Sequence, residues 1–256
     1  MTATIDLNAD LGESFGPWPM GDDDALLDIV TSANVACGFH AGDPLVMART
    51  VALCRDKGVG IGAHPGFDDL RGFGRRRVLD PDPASLRAML IYQIGAIQGM
   101  ARAAGTSVRH VKLHGALSNM ASEDATLARR CIDAIREADP GLVVMAMAAT
   151  PLESEALAAG APVAREVFAD RAYNDDGTLV ARGTPGAMIE DPDEAADRVL
   201  RMIDEQALVS VNGKRIAVSP QTVCTHGDSP SAVAMAERLR TRLEQAGVRI
   251  AAFPAS

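Results

Sequence analysis

At 256 residues, with 47% hydrophobic and 23% charged residues, the chain has the size and make-up of an ordinary globular α/β domain. A formal charge of -9 argues against a nucleic-acid surface, because phosphate binding needs a concentrated cationic stripe and Arg75-Arg76-Arg77 is the one dense basic cluster. Aromatic residues make up only 4%, so an aliphatic core is expected.

Short apolar runs recur along the chain: Ile5-Asp6-Leu7, Ala33 to Ala36, Val59 to Gly62, Val111 to Leu113, Leu142 to Ala146, Val163 to Val167 and Thr222 to Cys224. Most are followed by a polar or glycine-rich loop and then by a helical pattern, which is the rhythm of a βα repeat. Asp43-Pro44 and Asp82-Pro83 each place a capping carboxylate before a proline suited to the first helical turn, while Gly58 and Gly105 mark helix ends. Leu86, Met89, Leu90, Ile94, Ile97 and Met100 recur at three- and four-residue spacing, which predicts a helix over Pro83 to Ala104. Further helices are expected over Ala125 to Ala138, Asp193 to Glu205 and Ser231 to Gln245. Val209 to Val218 alternates around Asn212-Gly213 and predicts a β-hairpin with a two-residue turn.

No linker or low-complexity tract interrupts this pattern, so one domain over residues 1–256 is expected. Seven parallel strands can form an open doubly wound sheet or a closed barrel. Polar motifs after nearly every strand favour the barrel, since an open sheet gathers its site at a single switch point. Asp6, Asp10 and Glu13 interrupt the first apolar stretch, so no signal peptide is expected, and no run approaches a membrane span. Cys37, Cys54, Cys131 and Cys224 form no CxxC pair and read as reduced buried thiols, which suits the cytoplasm.

Four of the five histidines stand where an apolar run gives way to small residues: His40, His64, His114 and His226. A lone histidine there is commonly a packing residue; four in matching settings point to an enzyme site, and His110 is left as structural. Asn8, Asp10 and Glu13 add an amide and two carboxylates just beyond the first strand, suited to metal ligation or proton transfer. His40 ranks above Asp43, which is a helix-cap candidate. The long loop from Gly62 to Arg75 suits a lid or binding element anchored by Phe67, Leu70 and Phe73. Lys112 and His114 share one strand face, and an inward lysine needs an anion, for which a ligand carboxylate or phosphate would serve. Asp170-Arg171 reads on its own as an ion pair, and His226 with Asp228 repeats the pairing of His40 with Asp43. No GxxxxGK[ST], GxGxxG or GxSxG motif occurs.

The motifs Asp6-Leu7-Asn8-Ala9-Asp10-Leu11-Gly12-Glu13, Cys37-Gly38-Phe39-His40-Ala41-Gly42-Asp43, Ala63-His64-Pro65-Gly66, Lys112-Leu113-His114-Gly115-Ala116, Val167-Phe168-Ala169-Asp170-Arg171 and Cys224-Thr225-His226-Gly227-Asp228 together resemble the LamB/YcsF family. The chain departs from that pattern at Leu113 and Ser118, where the family usually has proline and tyrosine. The resemblance implies a seven-stranded β/α barrel akin to glycoside hydrolase and deacetylase barrels. It also implies ATP-dependent cleavage of the 5-oxoproline lactam to glutamate, with this chain as the A component of 5-oxoprolinase beside subunits B and C, and with self-association left open. On this reading Asp10, Glu13, His40, His64, His114 and His226 are catalytic, and Asn8, Asp43, Lys112, Asp170, Arg171 and Asp228 meet substrate. ATP enters with its divalent cation. Two other readings are a metal-dependent deacetylase-like hydrolase, with Asp10, His40 and His64 on a divalent ion, and a non-catalytic binding subunit of a larger complex.

Overall fold

The computed structural model describes residues 3–225 and 232–253. The chain runs β1 (Thr4–Leu11), α1 (Asp23–Leu27), β2 (Ser32–Ala36), α2 (Pro44–Lys57), β3 (Gly60–His64), α3 (Pro83–Ala103) and β4 (Val108–Val111). It continues through α4 (Gly115–Glu123), α5 (Ala125–Ala138), β5 (Val143–Met147), α6 (Pro151–Ala158), β6 (Val163–Phe168) and α7 (Pro192–Glu205). Last come β7 (Ala207–Val209), β8 (Arg215–Ala217), β9 (Thr222–Thr225), α8 (Ala232–Gln245) and β10 (Arg249–Ile250). Strands β1 to β6 and β9 pair in parallel, and β1 closes the ring on β9, so the seven strands form the expected barrel. A short β10 adds to the lower end of β1 at Thr4 and Ile5.

The capping residues act as their chemistry requires. Asp43 accepts from the Leu45 and Val46 amides at the start of α2, and Gly58 ends that helix with φ 70°. Asp82 accepts from Ser85 N, and α3 follows the apolar stripe through Leu86, Leu90, Ile94 and Ile97, all buried. Helix α4 has no such signature in the sequence, because it starts directly at His114-Gly115 with no side-chain cap.

The hairpin is present with a different turn. Val209 pairs with Arg215, Ser210 N bonds to Lys214 O and Gly213 N to Ser210 O, which leaves a three-residue loop. A two-residue turn on Asn212-Gly213 would need positive φ at Asn212; here only Gly213 has it, at 79°.

Parallel barrels usually fill their interior with branched aliphatic side chains. Here the aliphatic residues Leu7, Ala9, Leu11, Val35 and Ile61 belong to the core under the helices, while the alternate positions of the same strands are polar and buried. Asp6 accepts from Thr31 Oγ1 at 2.6 Å, Ser32 Oγ at 2.7 Å and Thr222 Oγ1 at the floor. Above it Asn8 donates to Thr222 Oγ1 at 2.7 Å and accepts from Asn34 Nδ2 at 2.8 Å, and Asn34 Oδ1 meets His110 Nε2 at 2.8 Å. The His110 ring lies where a side chain at residue 62 would be: a Cβ on Gly62 would come within 2.1 Å of His110 Nε2. Burial, followed by the charge of Lys112, pushes the His110 pKa down to about 3. Burial pushes Asp6 up to about 6 despite its three hydroxyl donors.

Gly62→Ala overpacks the interior and is expected to destabilise the fold by about 1–3 kcal/mol or more. Chemical denaturation of Gly62→Ala, His110→Ala and the double variant checks this. Strict additivity of the two would show that the ring and the missing side chain do not share one space.

The unfolded chain takes up the His110 proton near pH 6.5 and the folded chain only near 3, so this residue removes stability as pH falls through that window. Asp6 acts in the opposite sense, because between about 6 and 3.8 the folded state holds the extra proton. Between pH 6.5 and 4, His110→Gln should therefore flatten the decline of the denaturation midpoint and Asp6→Asn should steepen it. Profiles parallel to wild type for both variants would contradict this account.

Candidate active site at the barrel mouth

The upper interior layer is built around one ammonium. Lys112 lies one residue past β4, but its amide bonds to Ala63 O at 2.9 Å, so the strand alternation carries on and its side chain turns into the barrel. Lys112 Nζ meets Asp10 Oδ1 at 3.0 Å, Glu166 Oε1 at 2.9 Å, Cys224 Sγ at 3.0 Å and Asn8 Oδ1 at 3.3 Å. Burial works against its charge, but Asp10, Cys224 and Glu166 outweigh burial and hold its pKa well above the usual lysine value. The anion anticipated for Lys112 is thus supplied by the protein's own carboxylates. Glu166 and Asn34 are the site residues that the motifs did not single out.

Immediately above this layer three of the predicted histidines and Glu13 converge. One ligating atom from each of Glu13, His40, His64 and His114 lies within 4.8 Å of the others. His64 is the last residue of β3, and its Nδ1 faces Lys112 O at 2.8 Å. His114 begins α4, and its Nε2 faces Phe73 O at 2.8 Å. The remaining nitrogens, His114 Nδ1 and His64 Nε2, face each other at 3.0 Å. His40 stacks flat on His114, with centroids 3.6 Å apart and planes 5° from parallel. Glu13 Oε1 lies 3.5 Å from His40 Nε2 and 3.8 Å from His114 Nδ1, and Asp10 Oδ2 lies 3.3 Å from His64 Nε2. Burial, followed by the other two imidazoles, holds His40 well below the ordinary histidine value. Burial, followed by His64, pushes His114 down to about 3.

Glycines allow this crowding. A Cβ on Gly74, whose φ is +62°, would meet His114 at 2.7 Å and His40 at 2.8 Å, and one on Gly66 would meet His40 Nδ1 at 2.9 Å. The loop, which begins after His64 at the end of β3 rather than at Gly62, therefore packs its backbone onto the imidazoles. Phe67 and Phe73 anchor it, Phe73 with its ring edge-on to His40 and His114, whereas Leu70 is exposed. The arginine run divides: Arg76 pairs with Asp69, Arg77 with Glu123, and Arg75 lies over the Phe73 ring at 4.9 Å.

A cavity of about 360 Å³ opens beside the cluster. Asp10, His64, Lys112 and His114 form its deep wall, and Arg75, Arg77, Arg171 and Arg182 add positive charge. Arg171 donates to Val180 O at 2.6 Å instead of forming a close ion pair with Asp170, and its buried Nε makes no hydrogen bond. Asp170 is buried next to it at the end of β6.

Two expected substrate contacts have other work. Asn8 is wholly buried, with its amide committed to Thr222, Asn34 and Lys112. Asp43 caps α2 with one oxygen and accepts from Gly16 N at 2.7 Å with the other. The expectations for His226 and Asp228 fall outside the described residues, just past Thr225 at the end of β9.

A model of the LamB/YcsF family matches residues 5–256. The chain belongs to the LamB/YcsF family. It is 56% identical over 249 residues to a protein of Ruegeria pomeroyi named as the A subunit of 5-oxoprolinase, covering 97% of this chain and 98% of that one. The crystal structure of a lactam utilization protein from Thermus thermophilus is 44% identical and superposes with a TM-score of 0.91, covering 98% of this chain and all of that one. The catalytic domain of a peptidoglycan N-acetylglucosamine deacetylase from Eubacterium rectale shares the fold at 12% identity and a TM-score of 0.53 over 99% and 90% of the two chains. Leu113 and Ser118 both line the cavity.

Removing the central ammonium should be costly. Lys112→Met leaves Asp10 and Glu166 buried without their counter-charge, which is expected to cost about 3–5 kcal/mol. Urea denaturation should also show that Glu166→Gln recovers part of the loss in the double variant. A single variant as stable as wild type would remove Lys112 from its central place.

Proposed function

We propose that the chain serves as the A component of an ATP-dependent 5-oxoprolinase, which opens the 5-oxo-L-proline lactam to L-glutamate together with subunits B and C. The observation that carries this reading is the convergence of Glu13, His40, His64 and His114 beside a small cationic cavity, in a chain 56% identical to a protein of that name. The cavity has room for a five-membered cyclic amide, and a free carboxylate on that amide finds Arg171 within the wall.

A lactam is a resonance-stabilised amide and a poor electrophile. ATP supplies the activation: phosphorylation of the lactam oxygen creates a leaving group and lets water attack the ring carbon. The overall change consumes one water to open the ring and a second to take up phosphate.

The chain's own residues then have distinct tasks. His40 and His114 stay neutral at physiological pH, so they offer uncharged electron-pair donors to whatever sits among them. Asp10 is the carboxylate that lines the cavity beside them, placed to take a proton from the attacking water. His64 and His114, with N–H groups committed to Lys112 O and Phe73 O, present fixed acceptor faces inward. The four cysteines are free and buried, in keeping with a cytoplasmic enzyme, and no helix among the described residues is long and apolar enough to cross a membrane.

Glutamate release from 5-oxoproline and ATP is the test, with this chain alone, the partners alone and all three combined. The combined sample alone should be active; His114→Ala should lower its kcat by about 100-fold or more, and Arg171→Lys should raise KM for 5-oxoproline more than it lowers kcat. Full activity without this chain would reduce it to an accessory, and unimpaired His114→Ala would remove that imidazole from the chemistry.

A further inference from the structure

The three imidazoles pose a hydrogen-bonding problem. A backbone carbonyl only accepts, so Lys112 O fixes the proton of His64 on Nδ1 and Phe73 O fixes that of His114 on Nε2. What remains on each ring is a lone pair, and those two lone pairs point at each other across 3.0 Å. Asp10 Oδ2 at 3.3 Å and Glu13 Oε1 at 3.8 Å bring further acceptors to the same spot. His40 is fully buried, and neither of its ring nitrogens makes a hydrogen bond. Acceptors that converge in this way need a cation among them.

We propose that Glu13, His40, His64 and His114 bind one divalent transition-metal ion at the barrel mouth. Two donors held at about 2.1 Å from an ion are about 3.0 Å apart at about 90° and about 3.4 Å apart at the tetrahedral angle, so the 3.0 Å between His64 Nε2 and His114 Nδ1 stands at the close end of that range. Both carbonyl bonds are the outer contacts that orient metal-bound histidines and fix their tautomers. Imidazole-rich donors select ions of the zinc, iron and nickel type over magnesium or calcium. Glu13 is the charged ligand. Asp10, which the sequence motifs group with His40 and His64, is the outer carboxylate instead, because Lys112 and Asn34 already occupy its Oδ1. His40 lies flat against His114, so its ring must tilt to aim a lone pair at the ion, and it is the weakest of the four ligands. Since His64 and His114 also line the cavity, the ion has an open side toward a bound molecule.

The site goes beyond the lactam reading, and it is tested by binding. The full chain is stripped with chelator, loaded with Zn²⁺ or Ni²⁺, passed through a desalting column and assayed for metal by mass spectrometry. One equivalent per chain is expected, together with a higher melting temperature than the stripped protein. Glu13→Gln, which keeps the shape of the side chain, should weaken binding by about 100-fold or more, as should His114→Asn; His40→Asn should weaken it less. Circular dichroism of the stripped variants shows whether they fold. Absence of stoichiometric metal in wild type, with a proton shared by His64 and His114 seen by NMR in its place, would overturn the proposal, as would wild-type affinity in Glu13→Gln and His114→Asn alike. Glutamate release by the same samples keeps the two readings apart: a bound ion without lactam cleavage in the presence of subunits B and C upholds the ion and defeats the lactam reading, and cleavage by a protein that never binds metal does the reverse.

Discussion

An ammonium group inside a protein loses its hydration, and only close opposite charge with further hydrogen bonds offsets that loss. Lys112 meets this condition with Asp10 and Glu166, one carboxylate from β1 and one from β6, across the width of the barrel. The ion triad therefore ties the barrel at the height where its side chains give way to the cavity. Everything above it depends on where Lys112 goes: its carbonyl fixes His64, and Asp10 turns one oxygen to Lys112 and the other to His64.

Below the triad the polar interior is a continuous hydrogen-bonded stack, from Asp6 through Thr222, Asn8 and Asn34 to His110. Such an interior is costly if any member lacks a partner and specific if all have one. It also explains the fixed register of β1 against β2 and β9. Sliding β1 by one residue would bring Leu7 and Ala9 inward and press Asp6, Asn8 and Asp10 against the helices.

The fold was legible because two periodicities coexist in the chain. Apolar runs separated by capped helices located six of the seven barrel strands, while the run Val111 to Leu113 meets the fourth, Val108–Val111, only at Val111; Asp43-Pro44, Asp82-Pro83 and Gly58 fixed helix ends with local chemistry that the tertiary structure does not override. Positions at the mouth were legible for the same reason: His64 closes β3, and His40 and His114 sit in the loop or first turn that follows a strand. Glu166 and Asn34 were harder to read, because each sits inside a strand rather than at its end and its partner lies on another strand. The signal was there in period two. Asp6, Asn8 and Asp10, Ser32 and Asn34, His110 and Lys112, and Thr222 and Cys224 are each set two apart across an apolar residue, which a strand exposed to solvent on one side also shows. Only closure of the ring decides that these faces point inward together. Asn8 and Asp43 carry the complementary lesson, since a polar side chain near a strand end is as readily used for buried bonding or helix capping as for a ligand.

The mouth itself is held from two sides by backbone. Lys112 O orients His64 from beneath, and Phe73 O orients His114 from the loop above, while Gly66 and Gly74 let that loop lie against the rings. Side chains alone would leave the imidazoles free to rotate and to exchange tautomers. Carbonyl acceptors remove that freedom, because turning either ring over would lose its N–H bond, and moving the proton to the other nitrogen would set a lone pair against a carbonyl oxygen. The protein thus presents acceptors inward by denying them any other orientation, and it does so at the bottom of a cavity whose outer wall carries arginines. An anionic small molecule drawn in by that wall reaches a floor of fixed lone pairs and carboxylates, a division between binding charge and reacting groups that a barrel achieves by drawing each from a different strand end.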